Sequence, residues 1–196
     1  MKNARKVLLL VLCLVLVVSA TVMGTLAYLT DQTAEVKNTF TVGKVDIDLF
    51  ETNDDGDHVM TNQYQLIPGK TYTKGPTVEV TDDSEDCYLF VKFEENNNAS
   101  TYITYASTLT AAKGWTQGNG TDIPTNVWYR VVRKSDSTKS WHLLADDTIT
   151  ISATTVTNTT MDTAKLANLT YTAYACQLMN NNTEFTAAQA WATVNS

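Results

Sequence analysis

The chain has few residues of the kinds that carry out catalysis. Its two histidines, His58 and His142, are far apart, and neither has a second histidine or a cysteine at a metal-site spacing. The sequence contains no phosphate-cradling glycine loop, no nucleophile elbow and no zinc-protease motif. We therefore predict a protein that is not an enzyme and that uses no cofactor and no metal.

Two aspartate-rich stretches offer oxygen atoms that a hard cation such as calcium could use. Asn53–His58 reads NDDGDH, and Thr81–Asp86 reads TDDSED. Neither has the full spacing and the bidentate glutamate of an EF-hand loop. We predict polar turns between strands at both places, with calcium binding as the alternative.

Aromatic residues could present flat rings to a sugar, and the candidates are Trp115, Trp128, Tyr129 and Trp141. Trp128 and Tyr129 are neighbours on a predicted strand, where successive side chains point to opposite faces. At least one of this pair is therefore expected in the core. A monomeric surface adhesin or glycan-binding module is the alternative function that these aromatic residues suggest.

The charge of the chain bears on its partners. The sequence has 14 basic and 21 acidic residues, and Lys2, Arg5 and Lys6 precede the first apolar segment. The remaining chain is therefore strongly acidic, and an acidic surface repels phosphate backbones and anionic lipid headgroups. We expect no nucleic-acid binding and no peripheral binding to membranes.

The N-terminus has the layout of a secretory signal. A short basic start is followed by an apolar run, Val7–Val18, and then by small residues. Thr25 and Ala27 take the minus-three and minus-one positions if cleavage falls before Tyr28. We predict a signal peptide over residues 1–27 and export from the cell. The alternative is an uncleaved anchor, because Val7–Thr30 carries no charge and is long enough to span a bilayer.

Two cysteines remain in the predicted exported part, Cys87 and Cys176, and both fall on predicted strands. Outside the cell they could form a disulfide, for which chain-entropy arithmetic gives about 4 kcal/mol of stabilisation. Two small buried thiols are the alternative, because sequence alone does not show that the residues are close.

Hydrophobic periodicity predicts a protein made of sheets. Val45, Ile47 and Leu49 alternate with charged residues, as in a strand with one wet face. Cys87–Glu95 is apolar on both faces up to Lys92, which is typical of a central buried strand. Further strands are predicted within residues 77–80, 101–109, 149–153 and 169–179, and residues 127–144 predict a hairpin that turns at 135–139.

The C-terminal segment changes period. Phe185, Ala188 and Trp191 recur at every third residue, with Thr183 or Thr186 as a cap, so we predict a short helix packed on the sheet. With about eight strands and turn signals between them, residues 43–196 predict an all-β, jelly-roll-like two-sheet sandwich with a short C-terminal helix.

The stretch GTLAYLTDQTAEVKNTFTVGKVDIDL, residues 24–49, resembles the start of exported proteins of the TasA and camelysin group of Gram-positive bacteria, whose signals are removed by the peptidase SipW. The matching elements are small residues ending in Ala27, an aromatic residue, a short L-T-D element and the pattern N-T-F-x-x-G that ends at Gly43. The resemblance implies cleavage after Ala27, a jelly-roll domain and a role at the cell surface or in the biofilm matrix. Camelysin has been described as a metalloprotease, but this chain lacks a zinc signature and we do not expect that activity.

Residues 28–42 form the predicted mature N-terminal arm. An extended arm can add as a strand to the open sheet edge of a neighbouring copy, which would bury Leu29, Val36 and Phe40. Because the donating and accepting surfaces differ, the contact is head-to-tail and produces an open filament. We expect self-association or association with related matrix proteins, contact with signal peptidase during export, and contact with the membrane only through the uncleaved signal. In the alternative, the arm folds back on its own domain or takes no partner.

Overall fold

A computed structural model describes residues 44–52, 57–61, 63–180 and 182–195. The chain divides into two compact units, Met1–Thr41 and Val42–Ser196, and all described residues belong to the second. The predicted signal peptide and arm therefore lie outside the described residues. So do the site residues that they contain, which are Thr25, Ala27, Tyr28, Leu29, Val36 and Phe40.

The second unit consists mainly of short antiparallel strands. They are β1 (Ile47–Thr52), β2 (His58–Val59), β3 (Thr71–Thr73), β4 (Gly75–Val80), β5 (Cys87–Asn96), β6 (Ile103–Thr104), β7 (Thr116–Gln117), β8 (Val127–Val132), β9 (Ser140–His142), β10 (Thr148–Ile151), β11 (Asn168–Gln177), β12 (Met179–Asn180) and β13 (Thr183–Glu184). The helices are α1 (Ala99–Tyr102), α2 (Met161–Ala164) and α3 (Ala187–Val194), with 3-10 turns at Ala111–Lys113 and Ala145–Asp147. None of the described helices is long and apolar enough to cross a membrane.

The strands form two main sheets that face each other. The first sheet has the order β2-β1-β4-β9, and the second has the order β11-β5-β8-β7. A smaller third sheet, β3-β10-β6, extends the layer of the first sheet, since the backbone N–H of Lys74 donates to the carbonyl of Asp147 at 2.7 Å between β3 and β4. The prediction of an all-β sandwich is confirmed.

The core between the two main sheets follows from strand alternation. Leu89 and Val91 of β5 and Val78 and Val80 of β4 are all buried in one cluster. On β1, Ile47 and Leu49 pack against this cluster, so the predicted strand with one wet face is confirmed. Burying such a side chain contributes about 1.5–3 kcal/mol, and this sequence pattern therefore determines which face of each strand is turned inward.

The second sheet is covered on its other face by α3. Phe90 of β5 is fully buried there, and its ring centroid lies 5.3 Å from that of Trp191. The helix begins with a capping box, in which the Thr186 hydroxyl accepts from the backbone N–H of Gln189 at 3.3 Å. The predicted C-terminal helix, its cap at Thr186 and the predicted central position of β5 are all confirmed.

Two local predictions are wrong. The expected hairpin over residues 127–144 does not form, because β8 is paired with β5 and β7 in the second sheet while β9 is paired with β4 in the first. β8 buries Val132 between the two main sheets and Val127 in the cluster under α3, so both of its faces are covered in the second sheet. The expected strand over residues 101–109 is only β6, because Ser100 donates to the Glu95 carboxylate from its backbone N–H at 3.0 Å and the chain turns into α1.

Candidate strand-accepting groove

The second sheet has an open edge at β11. Among the described strands, β11 has β5 on one side and no neighbour on the other. The edge of the first sheet on the same side of the sandwich is β2, which is only two residues long. An edge strand presents backbone donors and acceptors that another strand can pair with. β11 is therefore the longest strand in the described part that could accept one.

Two neighbouring cavities lie along the side of the sandwich where β11 has its open edge. Together we call them the groove. The smaller, about 300 Å³, lies between β2 and the first residues of β11. The larger, about 610 Å³, lies beside the third sheet and α2. Both are lined by Lys74, Asn168 and Leu169, so the two cavities are neighbours.

The walls of the groove are formed by apolar and polar side chains in similar measure. Ile103, Ile149 and Ile151 of the third sheet line the larger cavity, and Leu49 and Val59 line the smaller. Met60, which lines the smaller cavity, is 81% exposed.

A buried ion pair contributes to the wall of the groove, since Lys74 lines both cavities and Glu51 lines the smaller one. Ile47, Leu49 and Glu51 are alternate residues of β1 and therefore lie on the same face of the strand. The carboxylate of Glu51 thus points into the sandwich. Lys74 Nζ donates to Glu51 Oε2 at 2.8 Å, and the side chains are only 12% and 9% exposed. The Tyr64 hydroxyl donates to the other carboxylate oxygen. Two charges out of water are tolerated only when they compensate each other in this way.

A tyrosine lines the same cavity as the ion pair. Tyr171, on β11, lines the smaller cavity, and its hydroxyl is buried with no hydrogen-bond partner in the described part of the chain. Burial is the main cause that raises the pKa of Tyr171, and the nearby Tyr105 and Glu51 raise this pKa further. The hydroxyl is therefore a neutral donor whose hydrogen bond is not made. Glu51, Lys74 and Tyr171 are called the polar cluster below.

The groove and the point where the chain enters β1 lie at opposite ends of the sandwich. Before β1, the carbonyl of Lys44 accepts from the backbone N–H of Glu85 at 3.0 Å, near the start of β5. From there β1 runs towards Glu51, which lines the groove. At the usual rise of a strand, Lys44 and Glu51 are roughly 20 Å apart.

Within the described residues, neither histidine is part of a hydroxyl–His–Asp relay. The ring of His58 stacks on Phe50 at 3.8 Å. His142 Nδ1 lies 3.1 Å from Asp147 Oδ1 and 3.3 Å from Thr77 Oγ1. Both contacts involve the same ring nitrogen, whereas a hydroxyl–His–Asp relay needs the two nitrogens to have different partners.

Three of the four carboxylates of the TDDSED loop are paired with basic side chains of the segment that follows β8. The pairs are Asp86 with Arg133 at 3.3 Å, Glu85 with Lys134 at 2.9 Å and Asp82 with Lys139 at 3.2 Å. Across the described residues, no three His, Cys, Asp or Glu side chains come together as metal ligands would. Most of the other aspartate-rich stretch, residues 53–56, is not described.

The aromatic candidates for sugar binding are packed into the fold. Trp115 is only 2% exposed, and the Arg130 guanidinium lies 5.0 Å from its ring and 4.3 Å from that of Trp141. Trp128 faces the first sheet while Tyr129 faces α3, as the prediction of opposite faces requires. Trp115 therefore offers no free ring face to a ligand.

Cys87 and Cys176 are free buried thiols, so the possible disulfide is not formed and the alternative of two buried thiols holds. The two residues lie on neighbouring strands, but Cys87 is opposite Gln177 and Cys176 is opposite Tyr88. This register turns their side chains to opposite faces of the sheet, where they belong to different core clusters. Burial raises the pKa of Cys87 to about 11, so this thiol is protonated and unreactive at neutral pH.

The sequence analysis did not predict the polar cluster, although one feature of the sequence indicates it. Glu51 is a charged residue at the inward position that continues the series Ile47, Leu49. A charge at an inward position of a strand indicates a buried partner. Nothing in the sequence identifies that partner as Lys74, or places Tyr171 beside it.

Comparisons with protein-family models, with curated proteins and with solved structures find no match to this chain. The resemblance of residues 24–49 to the TasA and camelysin group therefore stays a prediction, and the function must be argued from the groove.

Proposed function

We propose that this chain is an exported structural protein of the cell surface or biofilm matrix whose copies assemble end to end. The N-terminal arm of one copy adds as a strand beside β11 of the next copy. The observation that carries this proposal is the open edge of β11 with a groove beside it that is partly lined by apolar side chains. Strand addition pairs the free backbone donors and acceptors of the edge strand, and it buries apolar side chains of the added strand at the same time.

The positions of the groove and of Lys44 favour assembly between copies. The arm is joined to the domain at the end of the sandwich that is opposite the groove. A donor at one end and an acceptor at the other make a heterologous contact, which extends into a filament when its rotation does not close into a ring.

The arm sequence suits one-sided burial. In an extended strand, Val36 and Phe40 share one face, while the charged residues Asp31, Glu35 and Lys37 are all on the other. In a regular strand, Leu29 would lie on the same face as these charged residues. Such a strand cannot bury Leu29 together with Val36 and Phe40. We therefore expect the last two, and not Leu29, to enter the groove.

Export is the first part of the proposal, and it is supported by the signal-like N-terminus and by the resemblance of residues 24–49. We expect the protein recovered from the culture supernatant to begin at Tyr28. N-terminal sequencing measures this directly. A protein found only in the membrane fraction with Met1 or residue 2 at its N-terminus would contradict export by cleavage.

Assembly is the second part, and it is tested on the protein that begins at Tyr28. We expect filaments in negative-stain electron microscopy, and none from a protein that begins at Val42, where the second compact unit starts. Phe40→Asp should also abolish filaments because it replaces a ring that would be buried by a charge, whereas Lys37→Gln on the opposite face of the arm should not. Urea unfolding must show that each variant is folded. Filaments that persist without the arm would contradict strand addition.

A further inference from the structure

The buried pair of Glu51 and Lys74 is held by two fixed stretches of backbone. In the pairing of β1 with β4, Glu51 lies opposite Pro76. Lys74 comes two residues before Pro76, so its side chain reaches Glu51 on the diagonal of the sheet. The backbone N–H of Lys74 donates to the carbonyl of Asp147 at 2.7 Å, which fixes the start of this side chain. The amine and the carboxylate are therefore brought together by segments that are both hydrogen-bonded in place.

Each oxygen of the Glu51 carboxylate has a different hydrogen-bond donor. Lys74 Nζ donates to Oε2 at 2.8 Å, and the Tyr64 hydroxyl donates to Oε1. The Tyr64 ring also covers the amine, since Nζ lies 5.5 Å from the ring centroid. The contact to Oε2 puts Nζ about 3.5 Å from the carboxyl carbon, which is the separation from which a covalent bond can form. The arrangement thus holds a nucleophile, an electrophile and a donor for the oxygen on which charge would develop.

We propose that Lys74 and Glu51 condense after folding to an isopeptide bond between Nζ and the carboxyl carbon Cδ. The ion pair is the starting state, and it is almost completely shielded from water. Keeping two charges in such a site is costly, whereas an amide carries no charge. Shielding therefore favours the amide over the ion pair, and it also slows hydrolysis of the amide.

The reaction needs no other reactant. One proton passes from the Lys74 ammonium group to Glu51 Oε2 along the existing hydrogen bond, which leaves a neutral amine and a neutral carboxyl group. The amine lone pair then forms the bond to Cδ, and the electron pair of the carbonyl moves to Oε1, where the Tyr64 hydroxyl stabilises it. A second proton passes from the nitrogen to the Oε2 hydroxyl, the carbon–oxygen bond breaks as the carbonyl re-forms, and one water molecule leaves. The nitrogen keeps its third proton as the amide N–H.

The surrounding structure provides an exit for the water and gives the bond a structural role. Glu51 and Lys74 both line the smaller cavity, into which the water can pass. The bond would close a loop of the chain from β1 to the start of β4, with β2 and β3 inside it. A cross-link of this kind restricts the unfolded chain as a disulfide does. Cys87 and Cys176 form no disulfide, so among the described residues the amide would supply the covalent link that the sandwich otherwise lacks.

Mass spectrometry of the whole protein tests the proposal. The intact protein should be lighter by one water molecule than its sequence predicts. After denaturation, trypsin cuts an unbonded chain at lysines on either side of the pair and at Lys74 itself, and it releases residues 45–70, 71–74 and 75–92. An amidated Lys74 is not cut, so we expect one branched peptide in which residues 45–70 are joined to residues 71–92. Fragment ions should place the link at Glu51 and Lys74.

Three variants identify the groups that react. Lys74→Arg keeps a cation but lacks a nucleophilic amine, so its mass should be that of its sequence. Lys165→Arg changes an exposed pair with Asp162 and should keep the loss of water. Tyr64→Phe removes the donor to Oε1, and we expect the branched peptide to form about a hundredfold more slowly. Samples taken at intervals after synthesis measure this rate.

The outcomes distinguish the isopeptide bond from other reactions. A chain without substitutions that has its full mass and yields residues 71–74 as a free peptide would overturn the proposal. So would a loss of water that persists in Lys74→Arg, since cyclisation of Asp55 onto Gly56 also releases one water and leaves the trypsin site after Lys74 intact. A Tyr64→Phe protein that forms the branched peptide at the unchanged rate would overturn the part assigned to Tyr64. None of these results depends on filaments, so the proposed function is tested separately.

Discussion

A Lys74→Met variant is expected to lose about 3–5 kcal/mol of its free energy of unfolding, because the change leaves the Glu51 carboxylate buried without its cation. Glu51 faces the interior of the sandwich and Lys74 Nζ is its only cationic partner in the described part of the chain, at 2.8 Å. Urea denaturation followed by tryptophan fluorescence measures the difference.

Two further variants show whether the ion pair is responsible. Lys74→Met combined with Glu51→Leu removes both charges and should recover most of the lost stability. Lys165→Met breaks an exposed pair with Asp162 at 3.1 Å and should change stability by less than about 1 kcal/mol. If the Lys74→Met loss is no larger than the Lys165→Met loss, the polar cluster is not a compensated buried pair.

Trp191→Ala is expected to lower the free energy of unfolding by about 3–5 kcal/mol, the range for removing a large aromatic side chain from a core. Trp191 is 4% exposed, and its ring centroid lies 5.3 Å from those of both Phe90 and Tyr174. Its loss would leave a cavity under α3 and would expose the second sheet.

The matched control for this prediction is Trp191→Phe, which keeps a ring at the position and should cost clearly less. Both variants are unfolded in urea. When the dependence of the free energy of unfolding on urea concentration has the same slope in both, the midpoint concentrations report the difference in stability. A Trp191→Ala protein as stable as the unchanged chain would mean that α3 is not part of the core of the domain.

Much of the fold follows from short-range patterns in the sequence. The alternation at Ile47 and Leu49 determines the inward face of β1, and the apolar run of β5 requires cover on both of its faces. The period of three around Trp191 and the Thr186 cap specify α3. These patterns identify elements reliably because burial of their apolar face is the main favourable term in folding.

Pairing between distant elements could not be predicted in the same way. A hairpin was expected over residues 127–144 because short loops usually join neighbouring strands, but β8 and β9 are separated between two sheets. The relation between Cys87 and Cys176 depends on a register of one residue, since a shift by one reverses the face of a side chain.

The groove was harder still to predict from sequence. The polar cluster combines Glu51 from β1, Lys74 from the link between β3 and β4, and Tyr171 from β11. None of these residues is in a motif, and only the inward parity of Glu51 indicates a buried charge. The accepting site arises from the open edge of the assembled sandwich, whereas the arm that we propose to fill it is visible in the sequence as a charged face and an apolar face.

End-to-end strand addition is tested most directly with a protein that can accept an arm but has none to donate. The protein that begins at Val42 has the groove and lacks the arm, so it should add to one end of a growing filament and stop growth there. We expect filaments of the protein that begins at Tyr28 to shorten steadily as substoichiometric amounts of the shorter protein are added, in measurements of length by electron microscopy. Filament lengths that do not respond to the shorter, folded protein would contradict the account.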